Sequence, residues 1–159
     1  MFNVEFHIVH RGCLVNELSR SFPKIRFICP GGFVLGPSSV EELIVLDKPS
    51  EAEVQAVLNY LGTSPKVATV ELLERSSNRA FVRMVSTALP QKFCSQVVAK
   101  HHCFPIGTEI QEGGLEMWRV GCVERRQAEQ LLEELEGLGE LKHSSISEGS
   151  WQALLEGET

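Results

Sequence analysis

Two groups of histidine and cysteine residues are the parts of this sequence whose side-chain types could bind a metal or carry redox chemistry. The first group contains His10, Cys13 and Cys29, which lie at the ends of two successive strand-like segments. Because the ends of neighbouring strands meet at one edge of a sheet, these side chains are predicted to converge. Imidazole and thiolate ligands suit zinc, copper(I) or iron.

The second group lies in the other half of the sequence and contains His102, Cys103 and Cys122, with His101 nearby. Its members fall at the start of one strand-like segment and at the end of the following one. The alternative for both groups is that the thiols are buried as small apolar side chains, because the CxxC pairs of structural zinc sites are missing. A metal-binding or thiol-redox sensor is therefore one hypothesis for this chain.

A third candidate site is the turn formed by His10, Arg11 and Gly12. A cation beside the backbone N–H groups of a tight turn can bind a small anionic effector, whereas the alternative is an ordinary loop with an exposed arginine. The sequence contains no nucleophile motif and no phosphate-binding glycine loop followed by Lys-Ser or Lys-Thr. Catalytic residues are therefore not predicted, and the sequence names no cofactor.

The two halves of the chain have the same order of predicted elements, and these elements must position the candidate residues. Ser50–Leu61 and Glu124–Leu135 both carry apolar residues at i, i+3, i+4 and i+7, which is typical of amphipathic helices. Each half reads strand, helix, strand, strand, helix, strand, and this is the ferredoxin-like order. The sequence predicts an α+β protein with two ferredoxin-like units in tandem, residues 1–76 and 77–148, and a tail at 149–159.

The individual elements follow from hydrophobic periodicity and turn residues. Those predicted in the first half are a strand at Val4–His10, a helix at Cys13–Phe22, strands at Lys24–Cys29 and Val40–Leu46, a helix at Ser50–Leu61 and a strand at Val67–Leu73. Those predicted in the second half are a strand at Ala80–Val85, a helix at Pro90–Lys100, strands at Cys103–Ile110 and Glu116–Val120, a helix at Arg125–Leu135 and a strand at Leu141–Ile146. The segment PGGFVLGPSS is predicted to be a turn-rich connection, and Ser50 with Glu53 to form a capping box.

Composition limits the class of protein. The 159 residues carry a formal net charge of −6, with 43% hydrophobic and 23% charged residues, as in a soluble globular protein. Affinity for duplex DNA comes largely from clustered Lys and Arg, so nucleic-acid binding by these residues is not expected. No apolar run approaches the about 20 residues that span a bilayer. Five cysteines without disulfide-rich spacing fit a reducing compartment, and a cytoplasmic location is predicted.

The segment Gly114–Trp151 resembles the region before the DNA-binding domain in bacterio-opsin activator-like helix-turn-helix regulators of archaea. The segment His10–Pro23 is also similar to the openings of shorter members of that family. In the family an N-terminal sensing region is followed by a helix-turn-helix that reads DNA. The resemblance implies that this chain is the sensing region, and that the DNA-binding module is expected beyond Thr159.

These observations predict a non-catalytic, effector-sensing module of a transcriptional regulator that forms a homo-oligomer, in the simplest case a dimer. A small-molecule effector bound at an edge of a unit, or between units, would favour one arrangement of the protein. The tail from Ser147 to Leu155 would pass that bias to the DNA-binding module. The alternative is the metal or thiol-redox sensor, and an enzyme with the same fold is the third hypothesis.

Overall fold

The computed structural model describes residues 1–36 and 38–156 of the chain, so Pro37 of the predicted connection and residues 157–159 of the predicted tail lie outside the described residues. In chain order the elements are β1 Phe2–His10, α1 Leu14–Ser21, β2 Arg26–Gly36, β3 Ser39–Asp47, α2 Glu51–Thr63, β4 Val67–Arg75, β5 Arg79–Ser86, α3 Cys94–Lys100, β6 Phe104–Pro105, β7 Glu109–Glu112, β8 Leu115–Cys122, α4 Arg125–Leu135, β9 Gly139–Glu148 and α5 Ala153–Glu156. The predicted α+β class is confirmed. No helix in this part of the chain is both long enough and apolar enough to cross a membrane.

The chain divides into two compact units that do not follow the predicted ranges 1–76 and 77–148. The first, called here the terminal unit, contains Met1–Arg11, Gln91–Glu109 and Leu115–Thr159. The second, called here the central unit, contains Gly12–Pro90 and Ile110–Gly114. The ranges differ because the first strand of each half pairs with strands of the other half: β1 with β8 and β9, and β5 with β3 and β4.

In the terminal unit β1 is the inner strand of the order β8-β1-β9, and β6 pairs with β8. Both pairings of β1 are antiparallel, so that Phe6 lies opposite Trp118 on β8 and Ser144 on β9. The period-2 alternation of β1 turns Phe6 towards the core and leaves the intervening residues on the other face. Helices α3 and α4 cover the apolar face, with Val97 and Leu131 among the buried residues.

In the central unit the strand order is β4-β5-β3-β2-β7. Strand β5 lies antiparallel between β3 and β4, and Val82 faces Ile44 on one side. The predicted capping box at the start of α2 is confirmed: the Glu53 N–H donates to Ser50 Oγ over 3.1 Å, and the Ser50 N–H donates to Glu53 Oε1 over 2.8 Å. The predicted apolar stripe of α2 is buried against the sheet together with that of α1.

Three predicted elements need correction. The segment predicted as a turn-rich connection is mostly strand, because β2 continues to Gly36 and pairs with β3 through two register shifts. A Cβ at Gly32 would lie 2.6 Å from the Glu41 carbonyl oxygen, so glycine is required for this close pairing. The predicted strand at Cys103–Ile110 is split into β6 and β7, with Gly107 at a φ of +71° between them. Helix α3 begins at Cys94, four residues after the predicted start.

Candidate functional site

His10 ends β1 on the face that forms the core of the terminal unit. The alternation that buries Phe6 and Ile8 places His10 in line with them, and only 1% of its surface is exposed. A polar side chain at this depth needs hydrogen-bond partners, because leaving one buried and unpaired costs about 1–3 kcal/mol. The partners of His10 come from two other parts of the terminal unit.

Both ring nitrogens of His10 have a hydrogen-bond partner. Nδ1 lies 3.0 Å from Glu116 Oε2, and Nε2 lies 2.8 Å from the carbonyl oxygen of Lys92. The second carboxylate oxygen of Glu116 accepts a hydrogen bond of 2.9 Å from the indole N–H of Trp118. Glu116 is itself 3% exposed, so His10, Glu116 and Trp118 form a polar network inside an apolar core.

The hydrogen bonds of His10 also constrain its protons. Nε2 must donate to the Lys92 carbonyl, which has only lone pairs to offer. The contact between Nδ1 and Glu116 Oε2 then requires one further proton between these two atoms, carried either by the imidazole or by the carboxyl group. Removal of either partner would leave the other polar group buried without its complement.

Cys94 brings a thiol to the same place from the start of α3. Its Sγ lies 3.9 Å from His10 Nδ1, and the potential ligand atoms of His10, Cys94 and Glu116 all lie within 4.8 Å of one another. All three residues are buried. Imidazole, thiolate and carboxylate are the three side-chain types that bind zinc in proteins, so the trio has the composition of a metal site.

Sequence reasoning identified His10 but missed Cys94 and Glu116. Glu116 was assigned only as the first residue of a strand, although its period places it on the same face as Trp118 and Val120. A carboxylate on an apolar strand face is the signal that could have been found, because Glu is almost never fully buried unless it is paired. Cys94 lies one helical turn before Val97 on the buried side of α3 and gives no comparable signal.

The first predicted group, His10 with Cys13 and Cys29, is divided between the two units. His10 belongs to the terminal unit, whereas the two cysteines belong to the central unit. Cys13 is buried just before α1, where its Sγ accepts a hydrogen bond of 3.8 Å from the Gln111 amide, and Cys29 packs partly buried against the core of the central unit. The prediction assumed that β1 pairs within its own half of the chain, and β1 does not.

The second predicted group is brought together in part. Cys103 and Cys122 are both buried and lie close enough for each to influence the other's pKa, while the Cys103 thiol donates to the His101 carbonyl over 3.6 Å and the Cys122 thiol to the Glu124 carbonyl over 3.3 Å. Burial, and to a smaller extent the neighbouring Cys122, raises the pKa of the Cys103 thiol to about 12. Burial also raises the pKa of Cys122. His102 is exposed in a left-handed conformation with a φ of +56°, directly before this pair in the chain.

The predicted effector turn at His10, Arg11 and Gly12 is held by backbone contacts. The Arg11 guanidinium donates a hydrogen bond of 2.9 Å to the Gly137 carbonyl, and the Arg11 N–H donates one of 3.0 Å to the Leu138 carbonyl. Gly12 has a φ of +75°, which favours glycine. Arg11 is exposed and keeps further N–H donors beyond the one that contacts Gly137.

His101, which was predicted to lie near the second group, contacts a cluster of charged side chains on the terminal unit. Glu134 on α4 receives hydrogen bonds from Lys100 Nζ at 2.6 Å and from His101 Nε2 at 3.0 Å, and Lys92 Nζ lies 3.4 Å away. The hydrogen bond from Lys100 is the largest cause that lowers the pKa of Glu134, and the other contacts act in the same direction. Burial opposes them, and the resulting pKa is about 2. His101 is therefore part of a salt-bridge cluster.

A polar pocket of about 120 Å³ lies on the sheet of the terminal unit, between β1, β8 and β9. Its lining residues are Asn3, Val4, Glu5, Arg119, Val120, Ser145 and Ser147. Asn3 Oδ1 is buried and has no hydrogen-bond partner among the described residues. The pocket therefore combines one arginine, one glutamate and two serine hydroxyls.

A family model described as HVO_2525_N, N-terminal, matches residues 3–141. The matched range runs from β1 into β9 and includes His10, Cys94, Glu116 and Arg119. No curated protein matches the chain.

Proposed function

The chain belongs to the HVO_2525_N family of N-terminal domains, and we propose that it is the effector-sensing domain of a transcriptional regulator. The regulator is of the bacterio-opsin activator type, and its helix-turn-helix lies outside this chain. The domain is non-catalytic and responds to a small polar effector. The description of the family as an N-terminal domain supports this, because a sensing region of that type precedes the module that reads DNA.

The observation that carries the proposal is the polar pocket between β1, β8 and β9. Glu5 lines the pocket opposite Arg119, and its carboxylate can accept a hydrogen bond from a donor group of the effector. Arg119 offers a planar set of donors to a carboxylate or phosphate oxygen. The effector expected is therefore a small molecule that carries both a donor and an acidic group.

The position of the pocket supports a route from effector to tail. Ser145 and Ser147 line it from β9, and Ser147 is the first residue of the segment Ser147–Leu155 that is predicted to transmit the effect of the ligand. Beyond β9 the Trp151 ring makes an edge-on contact with Phe104, with ring centroids 6.2 Å apart. An effector that contacts β9 would change the fraction of molecules in which Trp151 contacts Phe104. The orientation of the module attached to the tail would change with it.

The finer fold is also proposed: each unit is ferredoxin-like, with its first strand contributed by the other half of the sequence. The order β4-β5-β3-β2 of the central unit equals the ferredoxin order 4-1-3-2 if β5 takes the first position. In the terminal unit β9-β1-β8 follows the same order, and β6 occupies the fourth position. The proposed tandem repeat is therefore one with exchanged first strands.

The proposed partner is a second copy of the chain. Strand β4 is an edge strand of the central unit and carries Leu72 and Leu73, which are 37% and 49% exposed. Exposed strand edges with apolar residues favour pairing with another chain. Sedimentation equilibrium should give a dimer for the wild type and a monomer for Leu73→Lys, and a monomeric wild type would contradict this part of the proposal.

The effector is tested by thermal unfolding of the whole chain in the presence of a library of small acidic metabolites. A ligand at about 100 times its Kd stabilises the folded state by about 2.7 kcal/mol, which raises the Tm by about 5–10 °C in a domain of this size. Arg119→Ala should abolish the rise. Arg125→Ala, an exposed arginine paired with Glu129 on α4, should leave it intact. No stabilising metabolite, or equal shifts in both variants, would overturn the pocket assignment.

The regulator assignment has a separate test. Fluorescence anisotropy should show no DNA binding by residues 1–159, whose net charge is −6, and sequence-specific binding by the native protein with its helix-turn-helix. A native protein that leaves promoter DNA unbound at physiological salt would refute the assignment, even if a metabolite binds.

A thiol-redox sensor is the second candidate, and the contact between Cys103 and Cys122 favours it. Oxidation would join the two sulfurs in a disulfide, with loss of two protons and two electrons to an added oxidant. The high pKa of Cys103 keeps its thiol protonated, which makes this oxidation slow. Loss of two titratable thiols after mild diamide treatment, prevented in Cys122→Ser, would support the redox function over the effector function.

A further inference from the structure

We propose that His10, Cys94 and Glu116 form a binding site for a borderline divalent metal cation such as Zn²⁺ inside the terminal unit. The site uses none of the residues that line the polar pocket. It also shares only His10 with the metal groups predicted from the sequence. The inference is therefore independent of the effector function.

The distances between the ligand atoms fit one cation. Tetrahedral angles with metal–ligand bonds of about 2.0–2.3 Å place nitrogen about 3.4 Å from oxygen and about 3.6 Å from sulfur. The structure has 3.0 Å between His10 Nδ1 and Glu116 Oε2, and 3.9 Å between His10 Nδ1 and Cys94 Sγ. Both separations match the tetrahedron to within about 0.4 Å.

The charges of the three ligands balance a divalent cation. A thiolate at Cys94 and a carboxylate at Glu116 contribute two negative charges, and a neutral imidazole at His10 contributes none. The bound site is then electrically neutral, which matters because an uncompensated charge in an apolar core costs several kcal/mol. The mixture of sulfur, nitrogen and oxygen ligands selects a borderline cation over Mg²⁺ or Ca²⁺, which prefer oxygen alone.

The hydrogen bonds around the trio are those that metal ligands need. The Nε2–H of His10 donates to the Lys92 carbonyl, which fixes the tautomer that leaves Nδ1 as the ligand atom. The indole N–H of Trp118 donates to Oε1 of Glu116, and the other carboxylate oxygen, Oε2, lies 3.0 Å from His10 Nδ1. Such outer partners orient the ligands and tune their affinity.

A role in core stability explains the buried His10, Cys94 and Glu116 less well than a role in metal binding. A buried ion pair contributes little net stability compared with apolar side chains of similar volume, because desolvation offsets the attraction. The pair is nevertheless buried in the terminal unit, whose apolar core contains Ile8, Val97 and Val120. Three protein ligands also leave a fourth coordination position for water or a small molecule, as in zinc sites that act on a ligand.

Cobalt(II) titration of the whole chain tests the site. The protein is purified without chelator, its zinc content is measured by mass spectrometry, and the protein stripped with chelator is titrated with Co²⁺. One cobalt per chain should bind, with tetrahedral d–d absorption and a thiolate-to-cobalt charge-transfer band. Cys94→Ser should abolish that band, whereas Cys103→Ser, a buried cysteine outside the trio, should retain it.

Two further variants keep the test decisive if Cys94→Ser fails to fold. Glu116→Gln preserves the shape and should lower the affinity for Zn²⁺ by more than the 10–100-fold that loss of an outer partner causes. Trp118→Phe removes one outer hydrogen bond and should lower it by about 10–100-fold. Absence of cobalt binding in the wild type would overturn the proposal. So would a charge-transfer band that survives Cys94→Ser and disappears in Cys103→Ser.

Discussion

Replacement of Glu116 by leucine tests whether the buried network of the terminal unit is a connected unit. The substitution removes the charged hydrogen bond to His10, which contributes about 1.5–3 kcal/mol, and it leaves the Trp118 N–H without its acceptor, which costs about 1–3 kcal/mol. The expected loss in the free energy of unfolding is about 3–5 kcal/mol, the range for breaking a buried ion pair by removing one partner.

The assay is urea unfolding followed by far-ultraviolet circular dichroism, with chelator present so that no metal contributes. Glu116→Leu, His10→Leu and the double variant form a double-mutant cycle. The double variant should be less destabilised than the sum of the single ones by about 1.5–3 kcal/mol, because each single substitution strands the other partner. Additive effects, or a cost below about 1 kcal/mol for Glu116→Leu, would refute the reasoning.

Three other properties follow from the contacts. The lowered pKa of Glu134 stabilises the fold above about pH 4.5, and this contribution is lost as the pH falls towards 2, so Glu134→Gln should flatten the acid unfolding curve over that range. The Cys103 thiol, with its pKa near 12, should react with Ellman's reagent at pH 8 only after denaturation, and rapid native labelling measured by peptide mass would contradict its burial. Gly139→Ala should destabilise the protein by more than about 1 kcal/mol, because the new Cβ would collide with the backbone of β1; Gly31→Ala, with open space around its Cβ, should stay within about 0.5 kcal/mol in the same urea assay.

Local features of this fold could be predicted from the sequence because their causes are local. The stripe of apolar residues in α4 gives its bounds as Arg125–Leu135, and the Ser50 capping box marks the start of α2. The partners of the strands could not be predicted, because the period of a strand defines which face is buried and not which strand lies beside it. Assigning β1 to its own half of the chain was the natural assumption, since sequential elements are usually neighbours.

The candidate sites also differ in whether they depend on local features or on strand pairing between the two halves of the sequence. The sequence predicts that Cys103 and Cys122 meet, because the start of one strand and the end of the next are neighbours in a ferredoxin-like unit. The pairing of β6 with β8 that brings them together lies within one half of the sequence. His10 was identified as a ligand, but its partners were sought on the wrong strand. Glu116 lies on β8, more than a hundred residues away, and only the pairing of β1 with β8 brings it next to His10.

The exchange of first strands has a consequence for the order in which the protein assembles during synthesis. Strand β1 leaves the ribosome before the other strands described, yet both strands that flank it, β8 and β9, are translated after residue 114. The stretch Gly12–Pro90 can meanwhile form most of the central unit, since it contains β2 to β5 and two helices. For the time that translation takes at about 5–20 residues per second, the nascent chain carries an unpaired, half-apolar β1 that a chaperone or a neighbouring nascent chain can capture.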